Sequence, residues 1–382
     1  MAVERTLPTS EGRDLLELVR ELAVKEVAPR AAEGEENAEF PRDLFALLGR
    51  SGLLGLPYPS EYGGGDQPYE VYLQAVEELA GAWLAVGLGL SVHTLSSYPV
   101  AAFGSDEQKA HLLPGMLGGD LLGAYCLSEA HSGSDASALS TRARRDASGY
   151  TVDGSKSWIT HGGRADFYTL FARTGGPGAS GISCLYVPAS TEGVAADAPE
   201  RKMGMSASPT AVVRFDGARV GTDALVGEEG AGFAIALSAL DSGRLGIAAC
   251  AVGVAQAALD AAVDYAKERR QFGRPIAEHQ GLSFMLADMA TKVEAARELY
   301  LAAARRRDAG RPFGTQAAMA KLFATDTAMQ VATDAVQVHG GYGYTRDFPV
   351  ERYMREAKVL QIVEGTNQIQ RMVIGRALTG AR

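Results

Sequence analysis

The chain has 382 residues, 46% of them hydrophobic and 22% charged, an ordinary globular composition that excludes a disordered or fibrous protein and leaves room for two or three cores. Lys and Arg total 37 against 46 Asp and Glu, a net charge of -9, so no broad positive field exists to gather nucleic acid or anionic lipid. Any bound anion must be held by local groups.

Met1 to Ser10 carries an acidic and a basic residue and no apolar run, so no secretory leader is expected. From Glu11 to Val27 the set Leu15, Leu18, Val19 and Leu22 recurs at helix spacing, and Pro29 predicts its end. Pro41 opens a second helix over Asp43 to Leu48, with Gly52 and Gly55 beyond it. Further helices run from Tyr69 into the nineties and from Asp106 to Met116 across one proline. Leu79 to Ser105 contains no charge, but its second half holds Ser91, His93, Thr94, Ser96, Ser97 and Pro99. It lacks the apolar run of about 20 residues that a span requires, so it reads as buried core and no membrane span is expected.

From Leu121 short β-branched and aromatic runs alternate with Gly, Asp and Pro. Tyr150 to Thr160 reads as a hairpin turning at Asp153-Gly154, with strands at Phe167 to Ala172, Ile182 to Val187 and Ala211 to Phe215. These predict a small antiparallel sandwich or barrel. After Gly227 helices return over Phe233 to Arg270, His279 to Arg307 and Thr315 to Val338, and with a last helix near Ile369 to Leu378 they predict a four-helix bundle. The expected fold class is α+β in three domains: helical 1–120, a β-domain at 121–228 and a helical bundle at 229–382.

Several motifs fail. Gly341-Tyr-Gly-Tyr-Thr-Arg346 has Arg where a dinucleotide loop needs its third glycine, and it follows a helix. Cys126, Cys184 and Cys250 show no Cys-x-x-Cys spacing, which supports neither a disulfide framework nor a cysteine zinc site and predicts a reducing, cytoplasmic home. The six histidines show no ligand spacing, so no metal is expected.

Three polar clusters stand out. Tyr125-Cys-Leu-Ser-Glu129-Ala-His-Ser-Gly133-Ser134-Asp135 reads by itself as a capped turn, because Ser, Gly and Asp are turn formers. Lys156-Ser-Trp158-Ile159-Thr160 holds one of only two tryptophans, which alone is a core aromatic. Glu364, between Ile362-Val363 and Gly365, is either a partly desolvated carboxylate beside a close backbone approach or a helix-start acid complementing a dipole.

Taken together and in order, these clusters resemble the acyl-CoA dehydrogenase family. Asp241-x-x-Arg244, Glu268-Arg-Arg-Gln-Phe-Gly273, Gln337-Val-His-Gly-Gly341 and Glu364-Gly-Thr-Asn-Gln-Ile-Gln-Arg371 extend the match over nearly the whole chain. The resemblance implies the same three-domain fold and bound FAD. It implies that Tyr125, Leu127, Ser128, Gly133 and Ser134 line the flavin, that Thr160 bonds near N5, and that Trp158, with Ile159 beside it, covers the ring. Arg269, Gln271, Phe272, Gln280, Gln337, Gly340 and Gly341 match residues reaching the FAD of a neighbouring subunit, which implies a homotetramer. Thr366 and Gln368 match further FAD contacts, and Ser134, Asp241, Arg244 and Gly365 match contacts to the CoA thioester.

Glu364 is implied as the general base. The α-proton of a thioester is weakly acidic, so its removal needs a polarised carbonyl and a nearby carboxylate. In the family the carbonyl is gripped by the backbone N–H of the catalytic Glu and a flavin hydroxyl, a β-hydride passes to N5, and trans-2-enoyl-CoA results. Electrons then pass to an electron-transferring flavoprotein. Some members carry the base at the position of Gly243, where glycine here leaves Glu364 without a rival. An acyl-CoA oxidase, a relative acting on a nitroalkane, and a non-enzymatic flavin- or acyl-CoA-binding oligomer are the competing readings.

Overall fold

Six helices come first: α1 (Ser10–Leu22), α2 (Ala31–Asn37), α3 (Arg42–Arg50), α4 (Tyr69–Ala82), α5 (Leu84–Phe103) and α6 (Asp106–Gly118). The computed structural model describes Val3 and residues 5 to 380; Met1, Ala2 and Glu4 of the segment read for a leader lie outside the described residues, as do the last two positions. Pro29 does not end the first helical run. A π turn at Ala23–Val27 and a 3-10 turn at Ala28–Arg30 carry the chain into α2, since Pro29 sits in a first turn where its missing N–H costs nothing.

The helix expected from Tyr69 into the nineties is broken at Trp83, whose backbone is extended (φ -159°). Its buried indole donates to the Glu35 carboxylate at 2.9 Å, and docking that side chain turns the chain between α4 and α5. The charge-free α5 is buried along nearly its whole length, as its composition predicts.

The middle of the chain forms β1 (Gly123–Cys126), β2 (Arg142–Asp146), β3 (Gly149–Thr160), β4 (Phe167–Arg173), β5 (Ile182–Pro188), β6 (Val194–Ala196), β7 (Thr210–Val220) and β8 (Leu225–Val226). They run in the order β6-β7-β3-β2-β4-β5-β8, with β1 on β4. Pairing is mostly antiparallel, but β1 lies parallel to β4 and β2 meets β4 parallel at Arg142 and Arg173 alone, so the sheet is mixed and folds over itself. Tyr168, Leu170 and Ala172 of β4 face the core between its halves, while Phe167 and Phe171 face the helices, the two-residue alternation of a strand covered on both sides. The hairpin turn falls at Ala147 and Ser148, where the Ser148 N–H donates to Asp146 at 2.8 Å, and not at Asp153-Gly154. Gly154 instead occupies a bulge in β3 at φ 145°, and a Cβ there would stand 2.6 Å from the Thr141 hydroxyl oxygen.

The remainder is helical: α7 (Gly232–Glu268), a short hairpin of β9 (Arg270–Gln271) and β10 (Arg274–Pro275), α8 (Gln280–Asp308), α9 (Gly314–His339), α10 (Val350–Leu360) and α11 (Asn367–Thr379). By length and composition α7 could cross a membrane, but most of its apolar stretch is packed inside against α4, α5 and α9. Gly253 permits the approach to α4, because a Cβ there would come 2.3 Å from the Glu77 carbonyl oxygen. The sequence reading passes over α10, which packs on both α7 and α9; α11 packs on α9, with only Asn367 and Gln370 buried. The fourth member of the bundle is therefore α10, not the last helix.

Candidate active site

Between α10 and α11 the chain turns through Glu364, whose φ of 51° is left-handed, followed by Gly365 at 89°. A side chain held there costs on the order of 1 kcal/mol and persists only where surroundings impose it. Three contacts do so. The Gln370 amide donates to the Gly365 carbonyl at 2.8 Å, the Lys321 ammonium donates to the same oxygen at 2.9 Å, and Thr366 caps α11 by accepting from Ile369 N–H at 3.3 Å.

This turn puts the Glu364 carboxylate in a dry place. Both oxygens are buried and neither has a hydrogen-bond partner among the described residues. Burial raises the carboxyl to about 7, while Lys321 and Arg244 pull it back down. The side chain lies against α7 at Gly243, where a Cβ would stand 2.2 Å from Oε2. Tyr69 of α4, Tyr125 of β1 and Cys250 of α7 are weakened as acids, first by burial and then also by the Glu364 charge, so the carboxylate sits where the three parts of the chain meet. Buried Arg244 donates to Asp241 at 2.7 Å, and its Nε has no partner among the described residues.

A narrow cleft beside Gly243 is walled by Tyr58, Tyr69, Thr94, Leu95 and Ser242. Its walls are fixed by contacts: Tyr58 donates to the Thr94 carbonyl at 2.5 Å, Tyr69 to the Ser242 carbonyl at 3.1 Å, and the Arg307 guanidinium lies 3.9 Å from the Tyr69 ring centre.

The residues expected along a flavin form a second group. Tyr125 donates to the Ala236 carbonyl at 3.1 Å, and its ring rests 5.0 Å from Phe171. The carbonyls of Leu127 and Ser128 accept from Lys156 Nζ at 3.0 Å and Ser157 N–H at 2.9 Å, which ties the segment after β1 to β3. Beneath it lies a buried ion pair, Lys156 to Glu129 at 2.8 Å. Trp158 is 63% exposed with a left-handed φ of 63°, and Thr160 is half-buried. Ile159 points into the sheet core, so only its backbone is available to a ligand. Gly133 and Ser134 lie exposed on the loop.

A third group stands apart. Arg269, Gln271 and Phe272 occupy the hairpin after α7 and Gln280 begins α8, all exposed, with Phe272 at 93% and φ 54°. Gln337, Gly340 and Gly341 lie exposed at the end of α9, where His339 stacks on Tyr265 of α7 at 4.3 Å. Roughly 40 Å of helix separates this end of α7 from Arg244, so these residues are not brought to the Glu364 cleft of their own chain. Thr366 and exposed Gln368 lie beside the Glu364 turn.

Sequence reasoning left Glu129, Lys156 and Lys321 without roles. Lys321 carried a signal: a lone lysine among Ala317, Ala318, Ala320 and Ala324 has no surface to reach.

An exposed indole in strained backbone, on a strand that carries Thr160 and is bonded at Ser157 to the Ser128 carbonyl, suits a flat ring with polar edges, and the Glu364 and Arg244 atoms without partners among the described residues suit a polar ligand. Comparison with known proteins agrees. The models of the acyl-CoA dehydrogenase N-terminal, middle and C-terminal domains match residues 9–120, 124–218 and 230–379. An acyl-CoA dehydrogenase of Bacillus subtilis is 49% identical over 374 residues, 97% of this chain and 99% of its own. The three-dimensional structure of butyryl-CoA dehydrogenase from Megasphaera elsdenii superposes with a TM-score of 0.96 at 41% identity, over 98% of this chain and all of that one. A chain from the structure of the electron transferring flavoprotein of Acidaminococcus fermentans gives 0.97 at 44% identity, over 99% of this chain and all of that one. The chain belongs to the acyl-CoA dehydrogenase family, FAD-binding oxidoreductases.

Proposed function

We propose that the protein oxidises a short-chain acyl-CoA thioester to its trans-2-enoyl-CoA, with Glu364 accepting the α-proton at its carboxylate. The observation that carries this is the buried, partnerless Glu364 carboxylate, raised to about 7, in a turn that aims it at the helix bearing Arg244. A base poised near the working pH accepts a proton without being permanently neutral. The Glu364 N–H would polarise the thioester oxygen, and Asp241, Arg244, Gly365 and Ser134 would orient the ester. The narrowness of the cleft, with Tyr58 and Tyr69 bonded into its walls, supports a short acyl chain.

FAD, when bound, supplies the acceptor for the β-hydride. Tyr125, Leu127, Ser128, Gly133, Trp158, Thr160 and the Ile159 backbone would hold it, with Thr366 and Gln368. Arg269, Gln271, Phe272, Gln280, Gln337, Gly340 and Gly341 would serve a neighbouring subunit of a homotetramer, a role supported by their exposure and their distance from the cleft of their own chain. An electron-transferring flavoprotein is the proposed acceptor and the cytoplasm the proposed home. The domain divisions at 121 and 229 are supported by the change from helix to strand after α6 and from strand to helix before α7.

Anaerobic mixing with butyryl-, octanoyl- and palmitoyl-CoA, read as flavin bleaching, tests the reading. Butyryl-CoA is expected to bleach fastest, with the rate falling below about pH 7 as Glu364 is protonated. Glu364→Gln should keep its FAD and lose roughly 10²–10⁴-fold in rate. Normal turnover by that variant sinks the mechanism, and stoichiometric oxygen uptake in air would favour an oxidase.

A further inference from the structure

We propose that Lys321 is a positioning residue for the proton-accepting turn: its ammonium, buried on α9, clamps the Gly365 carbonyl and the Asn367 side chain and so holds Glu364 in the left-handed backbone that aims its carboxylate at α7. This rests on Glu364 being the proton acceptor. Lys321 is fully buried and makes no ion pair within 4.0 Å among the described residues. Burying an ammonium against neutral oxygens alone is unfavourable, so a lysine kept there is held by what it bonds. Both of its bonds, 2.9 Å to the Gly365 oxygen and 2.9 Å to Asn367 Oδ1, end on the turn. Asn367 passes the restraint back to α9 by donating to Asp326 at 2.7 Å. The turn is thus stitched to one helix from both of its sides while Glu364 reaches across to another.

The ammonium also acts through space. The titratable groups facing Glu364 are Lys321 from α9, Arg244 and Cys250 from α7, Tyr69 from α4 and Tyr125 from β1, while Asp326 faces Lys321. Only Lys321 and Arg244 bring positive charge, and each favours the ionised base. Burial lowers Lys321 to about 8, with Glu364 and Asp326 opposing that fall, so the lysine is charged where the base must be ionised.

The test uses FAD-loaded protein and butyryl-CoA. In Lys321→Met the bleaching rate at pH 7 should fall about tenfold or more with KM nearly unchanged. The acid limb of the profile should move up by about one pH unit, and amide exchange over residues 361 to 370 should quicken. Lys321→Gln keeps a donor without the charge, so its limb should move while exchange stays slow. A Lys321→Met protein that binds FAD and shows the wild-type limb and exchange, or one that is only less heat-stable, overturns the proposal. Should neither variant fold, Asn367→Ala removes the lysine's side-chain acceptor and should loosen the same segment; unchanged exchange and pH limb there overturn the proposal equally. If Glu364→Gln were active, the proton-acceptor reading would fall while the exchange result still judged the clamp.

Discussion

The contact between Glu364 and Gly243 decides what position 243 can be. With the carboxylate Oε2 only 2.2 Å from where a Cβ would stand, even alanine must push that carboxylate aside. Gly243→Ala is expected to retain FAD and fold, and to lose about 10²-fold in flavin reduction, the scale of an ångström's misplacement of a reacting group; an unchanged rate would show that the side chain relaxes freely. The same contact leaves no room for a side chain at 243 while Glu364 keeps this position. As a candidate, Glu364 is legible from its neighbours Val363 and Gly365 once the clusters are taken in joint order. Its left-handed backbone and its missing hydrogen bonds are not, because both depend on α9 and α7, which lie distant in sequence.

Among the elements, the loop after β1, proposed above to line the flavin, is tied to β3 by the buried pair of Lys156 and Glu129. Although burial opposes it, the Lys156 ammonium and the donors of Thr141 and Ser140 hold the Glu129 carboxyl down at about 2. A carboxyl depressed in the folded state adds stability above its unfolded value near 4.5 and loses it as pH falls toward 2. Lys156→Met leaves Glu129 buried with an unmatched charge, so it is expected to cost about 3–5 kcal/mol and to lower FAD occupancy, measured by urea unfolding and the flavin-to-protein absorbance ratio. Period and composition made most elements legible, including α5, α7, α8, α9, β4 and β5. The misreadings share a cause. Asp153-Gly154 is turn chemistry used for a bulge, Pro29 is a helix stop used inside a tight turn, and Trp83 breaks a helix through a partner 48 residues away. Each local signal was real, and a tertiary contact decided its use. α10 went unseen because Glu351, Arg352, Arg355 and Glu356 interrupt its apolar positions, yet Val350, Ala357 and Leu360 still bury one stripe.

At the scale of the molecule, the N-terminal segment, α4 and α8 are joined by one buried charge. Glu77 accepts from Arg5 at 2.8 Å and from Arg297 at 3.0 Å, and the Tyr300 hydroxyl donates to its other oxygen. Glu77→Leu removes the carboxylate that both guanidinium groups share, leaving Arg5 with Glu78 and Arg297 with Glu294 and Gln256, and a loss of about 3 kcal/mol is expected, seen as an earlier urea transition; a change below about 1 kcal/mol would show that those remaining partners suffice. Against this fixed body α7 runs unbroken for 37 residues. Gly243 and Arg244 lie about a third of the way along it, and Phe272 stands just past its C-terminal end. Packed against α4, α5 and α9 along that length, the helix is a strut: the wall that meets Glu364 cannot shift unless its neighbours shift with it.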